Sequence, residues 1–323
     1  MLVILIGGLY SAYKHFSGLD PLKIDPRALV YSLIGSKSPQ ELIAILSSLK
    51  LGQTKQSGGQ NILSQIQIAS TPIPQSPSRA ENLTRSLSFK FALISDSHND
   101  NVTLRKALAQ IKKDYPTIKF IIGLGDYSEV GTIDELKAAK KELDSAGFRY
   151  FVIPGDHDLW DSRNKGEVPT LNYNQVFGPA FQSFMEDNFY FILINNSDNY
   201  LGLGESQLTW LANELDKAKQ QSGIYLFAQE PLYHPSSDRV MGKVEGKLKL
   251  EAQRLVEMLS EATVKKVFFG DIHFFSEYEE SQTGLPMVTI GAITSQRNTQ
   301  APRFAIAKVY SDGSIEVEDV EVK

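Results

Sequence analysis

From residue 89 onward the chain alternates short apolar runs with longer amphipathic stretches. FKFALIS (89–95), KFIIGLG (119–125) and RYFVIPG (149–155) read as buried strands bounded by polar or glycine residues. Between them, 101–113 and 132–146 carry apolar residues three and four apart and read as helices, the second closed by Gly147. The rhythm continues as helix 174–187, strand 189–194, helix 205–221, strand 223–228, helix 243–262 and strand 265–269. Strands separated by helices argue for a largely parallel, layered α/β sheet. The rhythm breaks near the end, where 285–291, 303–310 and 314–321 read as successive strands with Asp312-Gly313 as a hairpin turn. No internal repeat is visible.

The first 88 residues follow a different pattern. MLVILIGGLYSAY is apolar up to Lys14, short of the ~20 residues that span a bilayer, and lacks a basic leader and a small-residue cleavage site. Residues 1–16 read as a membrane anchor or signal-like segment, with a core helix of a small N-terminal unit as the alternative. Residues 17–51 read as a short helical segment: Asp25 precedes Pro26 as a cap, and Ser38 to Glu41 has capping-box spacing ahead of Leu42, Ile45, Leu46 and Leu49. Residues 52–88, rich in Gln, Ser, Gly and Pro, read as a flexible linker. That leaves 89–323 as the main domain.

Composition narrows the chemistry. A chain of 323 residues, 42% apolar and 22% charged, can build a sizeable core. It has no cysteine, so disulfides, thiolate zinc sites and cysteine nucleophiles are excluded. Residues 1–88 carry eight Lys or Arg against four Asp or Glu, which leaves −9 on residues 89–323 of the total −5. An acidic main body repels polyanions and argues against nucleic acid as a partner. A bound cation would offset part of that excess.

The strand ends supply candidates. Ligands of layered α/β sheets gather outside the carboxyl ends of the strands. There the chain places Asp96-Ser97-His98, then Asp126, then Asp156-His157-Asp158, then Gln229-Glu230, then Asp271 and His273. One such ending merely starts a loop, but five in succession along one edge are a site. Three of the five histidines fall in them.

The series DSH (96–98), GD (125–126), GDHD (155–158), QEPLY (229–233) and GDIH (270–273) resembles the calcineurin-like metallophosphoesterases. The family pattern runs Asp-x-His, Gly-Asp, Gly-Asn-His-Asp/Glu, His-x-Pro and Gly-His-x-His. FGPAFQSF (177–184) and GESQLTWLANEL (204–215) further resemble the branch with cyclic-nucleotide phosphodiesterases and purple acid phosphatases. The resemblance implies a four-layer αββα sandwich with two divalent ions at the strand ends. Asp96, His98, Asp126 and His273 would hold the first, an Mn, Fe or Zn ion. Asp126 would bridge to a second, held also by Asp156, Gln229 and Asp271.

That second set departs from the family, with Asp156 for Asn, Gln229 for His and Asp271 for His. Loss of the second ion is one reading. All three replacements nevertheless carry oxygen, and an all-oxygen set suits hard ions such as Mg, Ca or Mn. Four carboxylates in one pocket would also repel one another without cations.

The activity implied is hydrolysis of phosphomonoesters or phosphodiesters by in-line attack of a hydroxide held between the ions. His157 would be the general acid, with Glu129 or Asp158 orienting it. Asn99 and His234 are candidates to touch the small phosphoester substrate, and Trp160 and Tyr173 to line a pocket. The alternative is a catalytically weak metal-binding module that recognises a phosphorylated ligand or protein partner. The N-terminal segment adds the expectation of a membrane-anchored protein with its main domain outside the cytoplasm, or otherwise a cytoplasmic one.

Overall fold

Strand β1 (Leu87–Ile94) has six consecutive residues buried to some degree and is the central strand of a five-stranded sheet. The computed structural model describes residues 85–323, so the anchor and helical segment expected at 1–51 and nearly all of the linker lie outside the described residues.

In chain order β1 is followed by α1 (Asn101–Asp114), β2 (Ile121–Gly123), α2 (Ile133–Ala146) and β3 (Tyr150–Val152). A 3-10 turn (His157–Leu159) leads into α3 (Trp160–Asn164) and α4 (Leu171–Phe177). Next come β4 (Gln182–Glu186), β5 (Phe189–Leu193), α5 (Gly204–Ala218), β6 (Gly223–Phe227), α6 (Leu248–Glu261) and β7 (Lys266–Phe269). The chain closes with β8 (Ser276–Glu279), β9 (Pro286–Thr289), β10 (Arg303–Tyr310) and β11 (Ile315–Glu321).

The strands form two mixed sheets, ordered β11-β10-β1-β2-β3 and β4-β5-β6-β7-β9-β8. Within them β1, β2 and β3 run parallel, as do β5, β6, β7 and β9. Between the sheets lies an aromatic core including Phe91, Phe120, Phe191, Phe227 and Phe268. Phe227 stacks on Phe268 at 4.9 Å, and Phe91 meets Phe191 edge-on at 5.5 Å. Removing one such buried ring costs about 3–5 kcal/mol. The outer face of the first sheet packs with apolar residues of α1 and α2, and that of the second with those of α5 and α6. Helix, sheet, sheet, helix is the expected four-layer sandwich.

Local chemistry sets the helix ends. Asp100 caps α1 by accepting from the Thr103 amide. Thr132 and Glu135 close a reciprocal capping box at α2, which ends at left-handed Gly147. One expectation is corrected. The stretch 174–187 is helical only as far as Phe177: α4 stops at Gly178-Pro179, and Gln182–Glu186 pairs antiparallel with β5. Proline cannot continue the helix, and Phe184 gains stacking on Phe151 at 3.6 Å. Among the described residues no helix is long and apolar enough to cross a membrane.

Candidate metal centre

Because β1, β2 and β3 run parallel, their carboxyl ends emerge at one edge, and those of β5, β6 and β7 emerge together from the second sheet. Main-chain bonds lace the emerging loops. Asp96 N donates to Gly125 O at 3.0 Å, His98 N to Asp126 O at 2.9 Å, and Gly270 N to Gln229 O at 3.0 Å. Across the sheets Asp271 N reaches the Asp96 carboxylate at 3.2 Å.

This lacing holds an unusual backbone. Asp96, His98, Asn99, Asp126, Asp271 and His273 all lie in the left-handed region, with φ between 42° and 65°. Each costs roughly 1–2 kcal/mol, and Asp, Asn and His are the non-glycine residues that best tolerate it. Strain concentrated on one cluster marks a functional site. Gly125, at φ +96°, lets the second loop pass: a Cβ there would stand 2.5 Å from the Gly155 nitrogen.

Three overlapping groups result. Asp96, His98 and His273 bring ligand atoms within 4.8 Å of one another, as do His98, Asp126 and His157, and Asp126, Asp156 and Asp271. His98 Nε2 lies 3.2 Å from His273 Nε2 and 3.7 Å from Asp126 Oδ2, and His273 Nε2 lies 3.5 Å from Asp96 Oδ1. His273 Nδ1 donates to the Arg297 carbonyl at 3.0 Å, which turns Nε2 inward.

The electrostatics are those of a site built around positive charge. Burial, then repulsion from Asp156 and Asp96, pushes Asp126 well above the usual carboxylate range. Burial raises Asp271 to about 7 despite Arg239. Glu230, raised to about 8 by burial and by Asp271 and Asp156, keeps a buried Oε2 without a partner. Burial lowers His98 to about 4, and its Nδ1 is buried without a partner. Burial also works to lower His273, but Asp96 outweighs it and holds the ring raised. A divalent cation would relieve each of these tensions. The carboxylate and imidazole groups could hold divalent ions, and Asp126 belongs to two of the three.

The other expected residues fall differently. His157 belongs to the middle group; its Nδ1 donates to the Glu129 carbonyl at 2.6 Å, and its ring stacks on Trp160 at 3.8 Å. Glu129 therefore meets His157 through its backbone, and its carboxylate pairs with Arg297. Asp158 does not orient His157. It is fully buried and accepts from Ser128 Oγ at 2.6 Å and from the amides of Gly155 at 2.9 Å, Ser128 at 3.0 Å and Tyr127 at 3.3 Å. His234 is buried in the loop wall, with its Nε2 left without a partner. Its Nδ1 accepts from the Ser237 amide at 2.9 Å, and its ring meets Tyr278 edge-on. Asn99 donates to Glu135 at 2.6 Å. Tyr173 is a core residue.

Around the second group each carboxylate already has a protein donor. Gln229 Nε2 lies 3.2 Å from Asp126 Oδ2, Asn199 Nδ2 lies 3.1 Å from Asp156 Oδ2, and Arg239 Nη2 lies 3.4 Å from Asp271 Oδ1. Asn199 was missed in the sequence, although strand 189–194 also ends in a polar run, Asn195 to Asn199. Arg239 and Arg297 carried no signal, because both lie in loops without a motif.

The calcineurin-like phosphoesterase profile matches residues 89–275. The chain belongs to that family. Calcineurin-like phosphoesterases typically bind two divalent metals, and the overlapping Asp and His groups here could hold metal. No curated protein matches the chain. Two of the similar solved structures illustrate the fold. "GAP50 the anchor in the inner membrane complex of Plasmodium" is 16% identical, with a TM-score of 0.53, over 74% of this chain and 86% of that one. Purple acid phosphatase PPD1 from yellow lupin (Lupinus luteus) seeds is 12% identical, with a TM-score of 0.53, over 72% of this chain and 51% of that one. At such identity the likeness is one of fold. The chain spans about half the length of the lupin protein.

Proposed function

We propose that the protein hydrolyses phosphomonoesters or phosphodiesters with two divalent ions. Asp96, His98, Asp126 and His273 would hold one, and Asp126, Asp156, Gln229 and Asp271 the other. The observation that carries this is the three overlapping ligand groups joined through His98 and Asp126. When bound, the ions supply Lewis acidity at the phosphoryl oxygens and lower the pKa of a water.

The chain's own residues supply the rest. His157 has its Nδ1 proton committed to the Glu129 carbonyl, so its second proton, when present, sits on Nε2. From there it can pass to the leaving oxygen. Stacking on Trp160 holds the ring. Gln229, buried beside Asp126, presents oxygen instead of nitrogen if its amide turns over, so it can serve either a carboxylate or a cation. The oxygen-rich second set favours Mg, Ca or Mn over zinc.

The test is hydrolysis of aryl mono- and diesters by the full-length chain with Mn²⁺, Mg²⁺ or Ca²⁺. His157→Ala should lose at least about a hundredfold in rate, the usual range for general acid catalysis, with bound metal retained. Absence of turnover with every ion would overturn the reading.

A second reading is favoured by the donors on the altered site. Gln229, Asn199 and Arg239 already satisfy Asp126, Asp156 and Asp271 in part. In this reading one ion is held and the domain recognises a phosphorylated ligand or partner without turnover. A titration of the metal-free protein with Mn²⁺ that ends at one ion, in both wild type and Arg239→Ala, would select it.

A further inference from the structure

Two backbone carbonyls orient two histidines of the candidate metal centre, whose rings lie 4.6 Å and 5.0 Å from that of His98. The Glu129 carbonyl accepts from His157 Nδ1 at 2.6 Å, and the Arg297 carbonyl accepts from His273 Nδ1 at 3.0 Å. A carbonyl can only accept, so each bond fixes the tautomer and leaves Nε2 for the site. The same two residues, 168 positions apart, are joined by their side chains through an ion pair between Arg297 Nη2 and Glu129 Oε1.

We propose that Glu129 and Arg297 form a clamp that sets the rings of His157 and His273 together, which makes Arg297 a positioning residue of this site. The inference rests on the reading of His157 and His273 as site residues.

Several observations support a role beyond stability. Arg297 is itself left-handed, at φ 53°, a conformation an arginine rarely adopts. Its loop is fixed on both sides: Asp100 accepts from Ser295 N at 3.0 Å and Ser295 Oγ at 2.8 Å, and Asn298 Nδ2 donates to Thr294 O at 3.0 Å. The peptide between these anchors carries the carbonyl that His273 uses. Glu129 lies in the loop after β2, whose main chain is bonded to the β1 loop that carries His98. Its second oxygen lies 3.8 Å from His98 Nδ1, so the pair reaches all three rings. The side chains are 38% and 54% exposed. An exposed ion pair contributes little to folding, so the pair acts through where it holds the two carbonyls.

The experiment uses the full-length protein and the variants Arg297→Gln, Arg297→Lys, Glu129→Gln and the swap Glu129→Arg with Arg297→Glu. Two readouts are independent of turnover: Mn²⁺ affinity by calorimetry, and the ring ¹⁵N shifts that report His tautomers, resolvable with only five histidines. Arg297→Gln and Glu129→Gln should each weaken Mn²⁺ binding by about tenfold, the lower end for groups that orient metal ligands. Both should mix the tautomers of His157 and His273. Arg297→Lys and the swap should recover most of the affinity, with melting temperatures unchanged throughout. Unchanged tautomers and affinity in Arg297→Gln would overturn the clamp. If the wild type hydrolyses nothing yet these two readouts respond, the clamp stands and the hydrolase reading fails.

Discussion

Gly155 lies against Asp126 so closely that a Cβ on the glycine would stand 2.5 Å from Asp126 Cγ and nearer still to its Oδ1. The absence of a side chain at 155 therefore gives Asp126 its place between the two halves of the centre. Gly155→Ala should displace that carboxylate, lower stability by about 1–3 kcal/mol as overpacking does, and reduce Mn²⁺ binding. Calorimetry together with thermal melting checks both; a normal Mn²⁺ isotherm would contradict the placement.

Asp158 holds the loop rather than the chemistry. Its buried carboxylate accepts from three amides and one hydroxyl. Asp158→Ala strands those donors and should cost about 2–4 kcal/mol. Turnover per folded molecule should change by less than about tenfold, because general acid catalysis stays with His157. A drop comparable to that of His157→Ala, with an unchanged melting curve, would return Asp158 to the chemistry.

The second half of the centre is the part most open to redesign. Gln229→His combined with Asp271→His replaces oxygen by imidazole at both positions. Zinc affinity there should rise by about tenfold or more relative to Mg²⁺, since imidazole suits zinc and oxygen suits Mg²⁺. Competition between Zn²⁺ and Mg²⁺ measures this, and an unaltered preference would sink the hard-ion assignment.

Stability of the metal-free protein should fall as pH rises from about 6.5 to 8. Asp271, near 7, and Glu230, near 8, have pKa values raised in the folded state, and so does His273. Each binds its proton more tightly folded than unfolded, so its stabilising share is lost as pH climbs through the folded value. His98, lowered to about 4, acts in the opposite sense, but only below its unfolded value of 6.5. Melting of chelator-treated protein at pH 6.5, 7 and 8 tests the sign. Added Mn²⁺ should abolish or reverse the trend.

Much of this was legible in the linear chain. Continuous apolar runs located β1, β5, β6 and β7, because those strands are buried on both faces, and period-3.6 patterning located α1 and α2, which bury one stripe. The Gly-Asp and Asp-x-His steps at strand ends marked Asp96, His98, Asp126, His157, Asp271 and His273, because residues leaving parallel strands at one edge must gather there. The helix expected at 174–187 failed where Gly178-Pro179 outweighs periodicity and pairing with β5 takes over.

What the sequence by itself determined is the family, the strand-end residue set and the oxygen character of positions 156, 229 and 271. Each follows from local residue types in a fixed order. Only the tertiary structure decided what those residues touch. Asp158 was taken up by the backbone around Gly155, Glu129 reached His157 through its carbonyl, and Arg239, Asn199 and Arg297 came to the site from distant loops. Such contacts join segments up to 168 residues apart, and they depend on how two sheets pack. No local pattern of residues encodes that packing.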